Sequence, residues 1–176
     1  MSGHYERDLG VGREAEQEVL ALLSRKVQGI QSIAEVDPGN RLRFDLKVFL
    51  PSGPITIEVK YDILSESTGN VAVEVECRGH ASGVTASMSD YFVFKLVDKN
   101  QSGFWLIPTG RLRLLVMNTS GRMVNGGDDG VARMKLLKME QFKEQCDCRL
   151  DEVEDESIVL QKMTGRFFPL KDISGG

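Results

Sequence analysis

The sequence predicts a single α/β domain built on a mixed sheet, and three observations carry that prediction. A run of strong helix formers at residues 12–27 precedes two adjacent segments in which apolar and polar residues alternate. Further apolar, strand-like runs follow, separated by short helical stretches, which is the element order of an α/β fold. The chain has 176 residues, enough for one core domain with appendages and too few for two ordinary domains to be expected.

The elements follow in order. Residues 12–27 carry Glu14, Glu16 and Glu18 near the start and Arg25 and Lys26 near the end, as the helix dipole prefers, and the helix is expected to stop near Gly29. Asp37, Pro38, Gly39 and Asn40 mark a turn. Leu42, Phe44, Leu46, Val48 and Leu50 then alternate with Arg43, Asp45 and Lys47, the period of a strand. After a turn at residues 51–54, Ile55, Ile57, Val59 and Tyr61 alternate with Thr56, Glu58 and Lys60, so the two segments predict an antiparallel hairpin. A third strand, Val71 to Cys77, turns Val71, Val73, Val75 and Cys77 inward, with Cys77 as core filler, and Glu74 and Glu76 outward. Gly79 to Asp90 is turn-rich, with a short helix expected around Val84 to Ser89. Strands are expected at Tyr91–Val97 and Gly103–Pro108, then a helix capped by Thr109 and carrying Leu112, Leu115 and Val116. A loop at Asn125–Gly130, a strand at Val131–Leu137 and a helix at Lys138–Gln145 complete the expected domain, 1–145. Residues 146–176 form an acidic segment and a tail, expected either to make a dimer arm or to fold back on the core.

Composition narrows the function classes. Hydrophobic and charged fractions of 41% and 27% are ordinary for a globular protein. No apolar run approaches the roughly 20 residues that span a bilayer, so no membrane partner is expected. The polar start lacks a secretory signal, and a cytoplasmic protein is expected. Cys77, Cys146 and Cys148, with His4 and His80, offer neither a disulfide framework nor zinc-ligand spacing. The net charge of −4 is concentrated: Asp147 to Glu156 holds six acidic residues and one basic, which leaves the rest of the chain at +1. A near-neutral body of this kind neither demands nor excludes a nucleic-acid partner.

Chemistry is suggested by the hairpin. Glu58 and Lys60, two apart on one strand, share a face, and Asp45 lies opposite its own strand's apolar set. Two carboxylates and an ammonium in one small volume suit a hard divalent cation such as Mg²⁺, held by Asp45, Glu58 and the Val59 carbonyl, with Mn²⁺ able to substitute. The expected reaction is phosphodiester hydrolysis, with Lys60 orienting or activating water and neutralising charge. The Glu-x-Lys spacing alone is common, and by itself reads as a solvated polar face. Glu16 weighs against that: it falls in register with Leu20, Leu23 and Val27 on the helix stripe that must face the sheet. An inward acid needs a partner, so Glu16 is a further candidate catalytic or metal-binding residue, with Glu14 as runner-up.

Gly12 to Leu23 with Glu16, then Arg43, Phe44 and Asp45, then Ile57, Glu58, Val59 and Lys60 resemble the helix glutamate and split Asp…Glu-x-Lys motif of the PD-(D/E)-x-K, or restriction-endonuclease-like, nuclease superfamily. The layout is similar to that of Holliday-junction resolvases, and Phe44 stands where the family name has proline. The resemblance covers roughly residues 10–97. It implies a four- or five-stranded mixed sheet flanked by helices, a metal-dependent DNA endonuclease, and a C2 homodimer for cutting two strands. Thr68 to Glu74 and Ser82 to Phe94 also resemble a phage-type branch, which implies action in a host cytoplasm. That branch puts Glu74 one strand beyond Glu58 and gives Ser82, Thr85 and Ser87 phosphate contacts, with a Ser-rich turn and helix cap as the equal alternative for each hydroxyl. Arg78 and His80 fall near the expected substrate; Arg111, Arg113, Lys135 and Lys138 serve either the DNA backbone or a solvated face. Structure-specific or weakly sequence-specific cutting is expected, since little chain remains for sequence-reading elements; resolvase and homing or restriction-type enzymes are the alternatives. The contrasting class is a nucleic-acid-binding module with a vestigial nuclease site.

Overall fold

A computed structural model describes residues 3–26, 29–32, 44–50, 53–127, 130–154, 159 and 161–163. The expected turn at Asp37–Asn40, Leu42, Arg43, Val27 and most of the tail lie outside the described residues.

Helix α1 (Gly3–Ser24) starts nine residues before the expected position and ends before Arg25 and Lys26. It runs through Gly10 and Gly12, although each interior glycine costs up to about 1 kcal/mol relative to alanine. What fixes α1 is burial: Ala15, Val19 and Leu23 are at most 1% exposed, while Glu16 sits at the margin of this stripe and not on its centre line.

Strands β1 (Ile30–Ser32), β2 (Leu46–Leu50) and β3 (Gly53–Asp62) pair antiparallel in sequence, so the predicted hairpin is present, with Leu46 opposite Ile57 and Leu50 opposite Gly53. On its other side β3 pairs in parallel with β6 (Tyr91–Asp98), not with the expected third strand. β6 turns into β7 (Gln101–Pro108) through Lys99 and Asn100, both at positive φ, as a two-residue hairpin turn requires. A two-residue strand, β10 (Cys148–Arg149), closes the edge beside β7. The main sheet is therefore mixed, five strands plus that short edge, in the order β1-β2-β3-β6-β7-β10.

The expected third strand is β4 (Asn70–Cys77), which belongs to a second, antiparallel sheet with β5 (His80–Ala81), β8 (Met123–Gly126) and β9 (Ala132–Lys138), in the order β5-β4-β9-β8. The switch between sheets is local. The short helix α2 (Ser65–Thr68) ends on Gly69 at φ +62°, a left-handed stop that redirects the chain. Fully buried Ser65 anchors it, accepting the Val97 amide at 2.8 Å and donating to the Asp62 carbonyl at 2.8 Å. A bulge between Glu74 and Glu76 breaks the alternation; Val75 within it and Cys77 beyond it are only half-buried, so Cys77 is not the core residue expected.

Helices α3 (Thr109–Asn118) and α4 (Met139–Gln145) share one core cluster with strands of both sheets. Thr109 does not cap α3: Pro108 holds the cap position with no side-chain bond, and the Thr109 hydroxyl meets Ser89 at 3.2 Å. Strand alternation on β6 divides the core cleanly. Tyr91 and Val93 join α1, Ile57, Val59, Leu150, Val159 and Met163 on one face; Phe92, Phe94 and Leu96 join Val71, Val73, Leu112, Leu115 and Phe142 on the other. Residues beyond 145 thus share the domain core. No described helix is long and apolar enough to cross a membrane.

Candidate active site

The β2–β3 register begins with Leu46 against Ile57, and Asp45, the residue before it, sits against the Ile57–Val59 stretch that carries Glu58. Asp45 is held by backbone: its amide donates to the Ile57 carbonyl at 2.9 Å, and its Oδ2 accepts the Val59 amide at 2.7 Å. Glu58 and Lys60 lie beside Phe92 and Phe94 of β6, on the face away from α1's core contacts. Lys60 Nζ reaches Glu58 Oε1 at 2.7 Å, with the lysine side chain 43% exposed and the glutamate 13%.

Glu74 enters this centre from the second sheet, not from a strand adjoining Glu58. A 3-10 turn, Gly83–Thr85, clamps β4 at the bulge. The Ser82 hydroxyl donates to Glu74 Oε1, and the Ser82 amide donates to the Val75 carbonyl at 3.2 Å. The Thr85 hydroxyl donates to the Val75 and Ser82 carbonyls. Gly83 is required: its φ is +50°, and a Cβ there would stand 2.3 Å from the Glu74 carbonyl oxygen. Gly83→Ala is expected to destabilise the fold by about 1–3 kcal/mol in urea denaturation, the usual cost of such strain; an unchanged midpoint would contradict the clamp. Arg113 braces the same turn from α3, donating to the Val84 carbonyl at 2.9 Å and the Ser87 carbonyl at 2.6 Å.

Glu58, Lys60, Glu74, Ser82, Gly83 and Ser87 border a cleft of about 270 Å³. Four acids bear on one lysine. Burial, and then the Glu58 charge, push the Asp45 carboxyl up to about 7 against the opposing pull of the Val59 amide and Lys60. Burial also raises Glu16, with Lys60 and Arg13 opposing and Glu58 adding to the rise. For Lys60, burial pulls downward, but Glu58, Asp45 and Glu74 outweigh it and hold the ammonium above the ordinary lysine value.

The predicted residues divide on this geometry. Glu16, Asp45, Glu58, Lys60 and Glu74 form one electrostatically linked group. The three hydroxyls are engaged internally: Ser82 with Glu74, Thr85 with β4, and buried Ser87 with Ser89 at 2.9 Å. Arg78 and His80 are exposed at the β4–β5 turn and do not line the cleft. Arg111 is neither a DNA contact nor a solvated residue, being 2% exposed and paired with Asp147, and Arg113 is the brace of the 3-10 turn. Sequence reading missed that brace and Gly83; the Ser82-x-x-Thr85 spacing of a capping box was the available signal.

No family model and no curated protein matches the chain. Among solved structures it is similar to a bacterial homing endonuclease, I-Ssp6803I, at 23% identity and a TM-score of 0.40, over 56% of this chain and 66% of that one. The chain thus spans just under two thirds of the length of that structure.

The donor chemistry fits a divalent cation. Among the described residues no three acidic, imidazole or thiol side chains converge closely enough to hold a metal as they stand. Yet Asp45 and Glu58 crowd negative charge into a half-dry site, which a cation would relieve, and the Val59 carbonyl supplies a further oxygen of the kind Mg²⁺ accepts. Without a cation the charge is a burden on the fold. Because the folded Asp45 value of about 7 exceeds the ordinary 3.8, its contribution is full below pH 3.8 and is lost as pH rises through 7. Asp45→Asn keeps an acceptor for the Val59 amide and removes the charge. In EDTA it is expected to raise Tm more at pH 8 than at pH 5; equal gains at both would refute the assignment.

Proposed function

We propose that this chain is a metal-dependent endonuclease that hydrolyses DNA phosphodiester bonds through a PD-(D/E)-x-K-type centre. The observation that carries the reading is Asp45 bonded to the Val59 amide beside Glu58 at the end of a hairpin, with Lys60 paired to Glu58 and both bordering an open cleft. Asp45, Glu58 and the Val59 carbonyl would hold Mg²⁺, or Mn²⁺ in its place. When bound, the cation polarises the phosphate and lowers the pKa of water. Lys60, held protonated by its acidic neighbours, serves as a cation that orients the phosphate and neutralises developing charge, not as a proton-accepting base. Glu16 accepts a hydrogen bond from the attacking water, and its elevated pKa suits it to take the proton. Glu74, fixed by Ser82, completes the acidic wall. The enzyme acts in the cytoplasm as a C2 homodimer when both strands are cut.

The test is an assay of the purified chain on four-way junctions, flaps, duplex and single strands with Mg²⁺, Mn²⁺ or EDTA. Cutting confined to the metal lanes is the expected result. Binding without cutting in every lane would overturn it in favour of a nucleic-acid-binding module with a vestigial site.

A further inference from the structure

A second, larger cavity of about 460 Å³ opens beside the cleft, within the range of about 300–1,000 Å³ typical of small-ligand sites. The two share Lys60, Glu74 and Gly83 as a common wall. The larger one differs in chemistry: Val73, Val84, Val124, Met134 and Leu136 make it apolar, and Ile63 and Leu64 at its border are 63% and 62% exposed. Its polar groups include Asp62, whose carboxylate accepts the Leu64 and Ala72 amides, Asn70, whose amide donates to the Thr68 carbonyl at 2.6 Å, and the amide of Asn125 at the exposed rim, with donors and an acceptor.

From this juxtaposition of an apolar cavity and a phosphate-handling cleft across one shared wall, we infer that the cavity receives a single unstacked nucleobase of the DNA being cut. The inference rests on the proposed nuclease reading. A base is attached through its sugar to the adjoining phosphate, so a phosphate at Lys60 carries its own base to the neighbouring cavity. The apolar walls suit the faces of a base, and an amide at the rim suits its hydrogen-bonding edge. A base stacked in a duplex cannot enter. The cost of leaving the stack is least where the base is mismatched, at a branch or single-stranded, so the substrate class is distorted or branched DNA and not intact duplex.

The experiment uses the full chain with Ca²⁺ in place of Mg²⁺ and branched DNA carrying 2-aminopurine at successive positions around the bond that is cut in Mg²⁺. A several-fold rise in fluorescence at one position beside that bond is expected. Val124→Trp, which fills the cavity from an edge strand, should abolish the rise and weaken binding about tenfold. It should leave binding unchanged when that nucleotide is abasic. Asn125→Ala, at an exposed position, should reduce the rise without burdening the fold. No rise at any position of a DNA that the chain does cut would overturn the base pocket alone. Failure to bind or cut any DNA would overturn the nuclease reading and this inference together. Self-association lost in Val124→Trp, with fluorescence unaffected, would assign the cavity to a second copy of the chain and overturn the inference.

Discussion

Lys60→Ala is expected to lower Mg²⁺-supported DNA cleavage by a factor of about 10²–10³, the range seen when a single charge-stabilising donor is removed from an active site. Among the described residues Lys60 is the cation that bears on Glu16, Asp45, Glu58 and Glu74 together. Its removal acts twice. The phosphate loses its positive partner, and the acids lose the charge that holds down the Asp45 and Glu16 pKa values, so the acid limb of the pH–rate profile should move to higher pH. A side chain that is 43% exposed can be truncated without opening a cavity, so circular dichroism should show an intact fold. Undiminished cleavage by the purified variant would sink the assignment. An activity loss with no movement of the acid limb would mean that Lys60 does not hold down the pKa values of its acidic neighbours.

Asp147→Ala is expected to cost about 3–5 kcal/mol of stability. Arg111 and Asp147 are 2% and 4% exposed and meet at 2.6 Å, and Arg111 also donates to the Gln145 carbonyl at 2.8 Å. Truncating the aspartate takes from an interior guanidinium the carboxylate it meets at 2.6 Å. Replacing both partners by apolar residues of similar volume, Arg111→Met with Asp147→Leu, should recover most of the loss, because a buried pair gains little over well-packed hydrophobes. The same aspartate, after burial itself, helps push the Tyr91 hydroxyl up to about 12. Urea denaturation of the two variants decides the matter: a cost for Asp147→Ala below about half a kcal/mol, or a double variant no more stable than the single one, would show that the pair is not a buried charge couple.

The β2–β3 hairpin was legible in the sequence because its determinants are local. Alternation over Leu46–Leu50 and Ile55–Tyr61 fixes which face is buried, and that decides on its own that Asp45, Glu58 and Lys60 stay together. Glu16 was legible for the same reason, through helical periodicity, though the buried stripe runs through Ala15 and Val19 and leaves it on the margin. The partner of β3 was not legible. Val71, Val73 and Val75 read as an inward strand whichever sheet holds them, and only the Gly69 stop and the Ser65 anchor divert β4 away from Glu58. Four strands of two to four residues, β1, β5, β8 and β10, are too short to show any period. Charge misled at Arg111 and Asp147: each reads as a surface residue, and only a contact 36 positions apart makes them interior.

Val159 and Met163 lie buried against the same cluster as α1, and Lys26, just past that helix, donates to the Val153 carbonyl. A chain ending at residue 145 therefore holds all five residues of the acidic centre but not the floor on which α1 rests, and should show reduced helical signal with Glu16 adrift. On the proposed reading, competence to cut depends on residues 146–163 as a mount for the helix that carries Glu16, although none of them carries the chemistry.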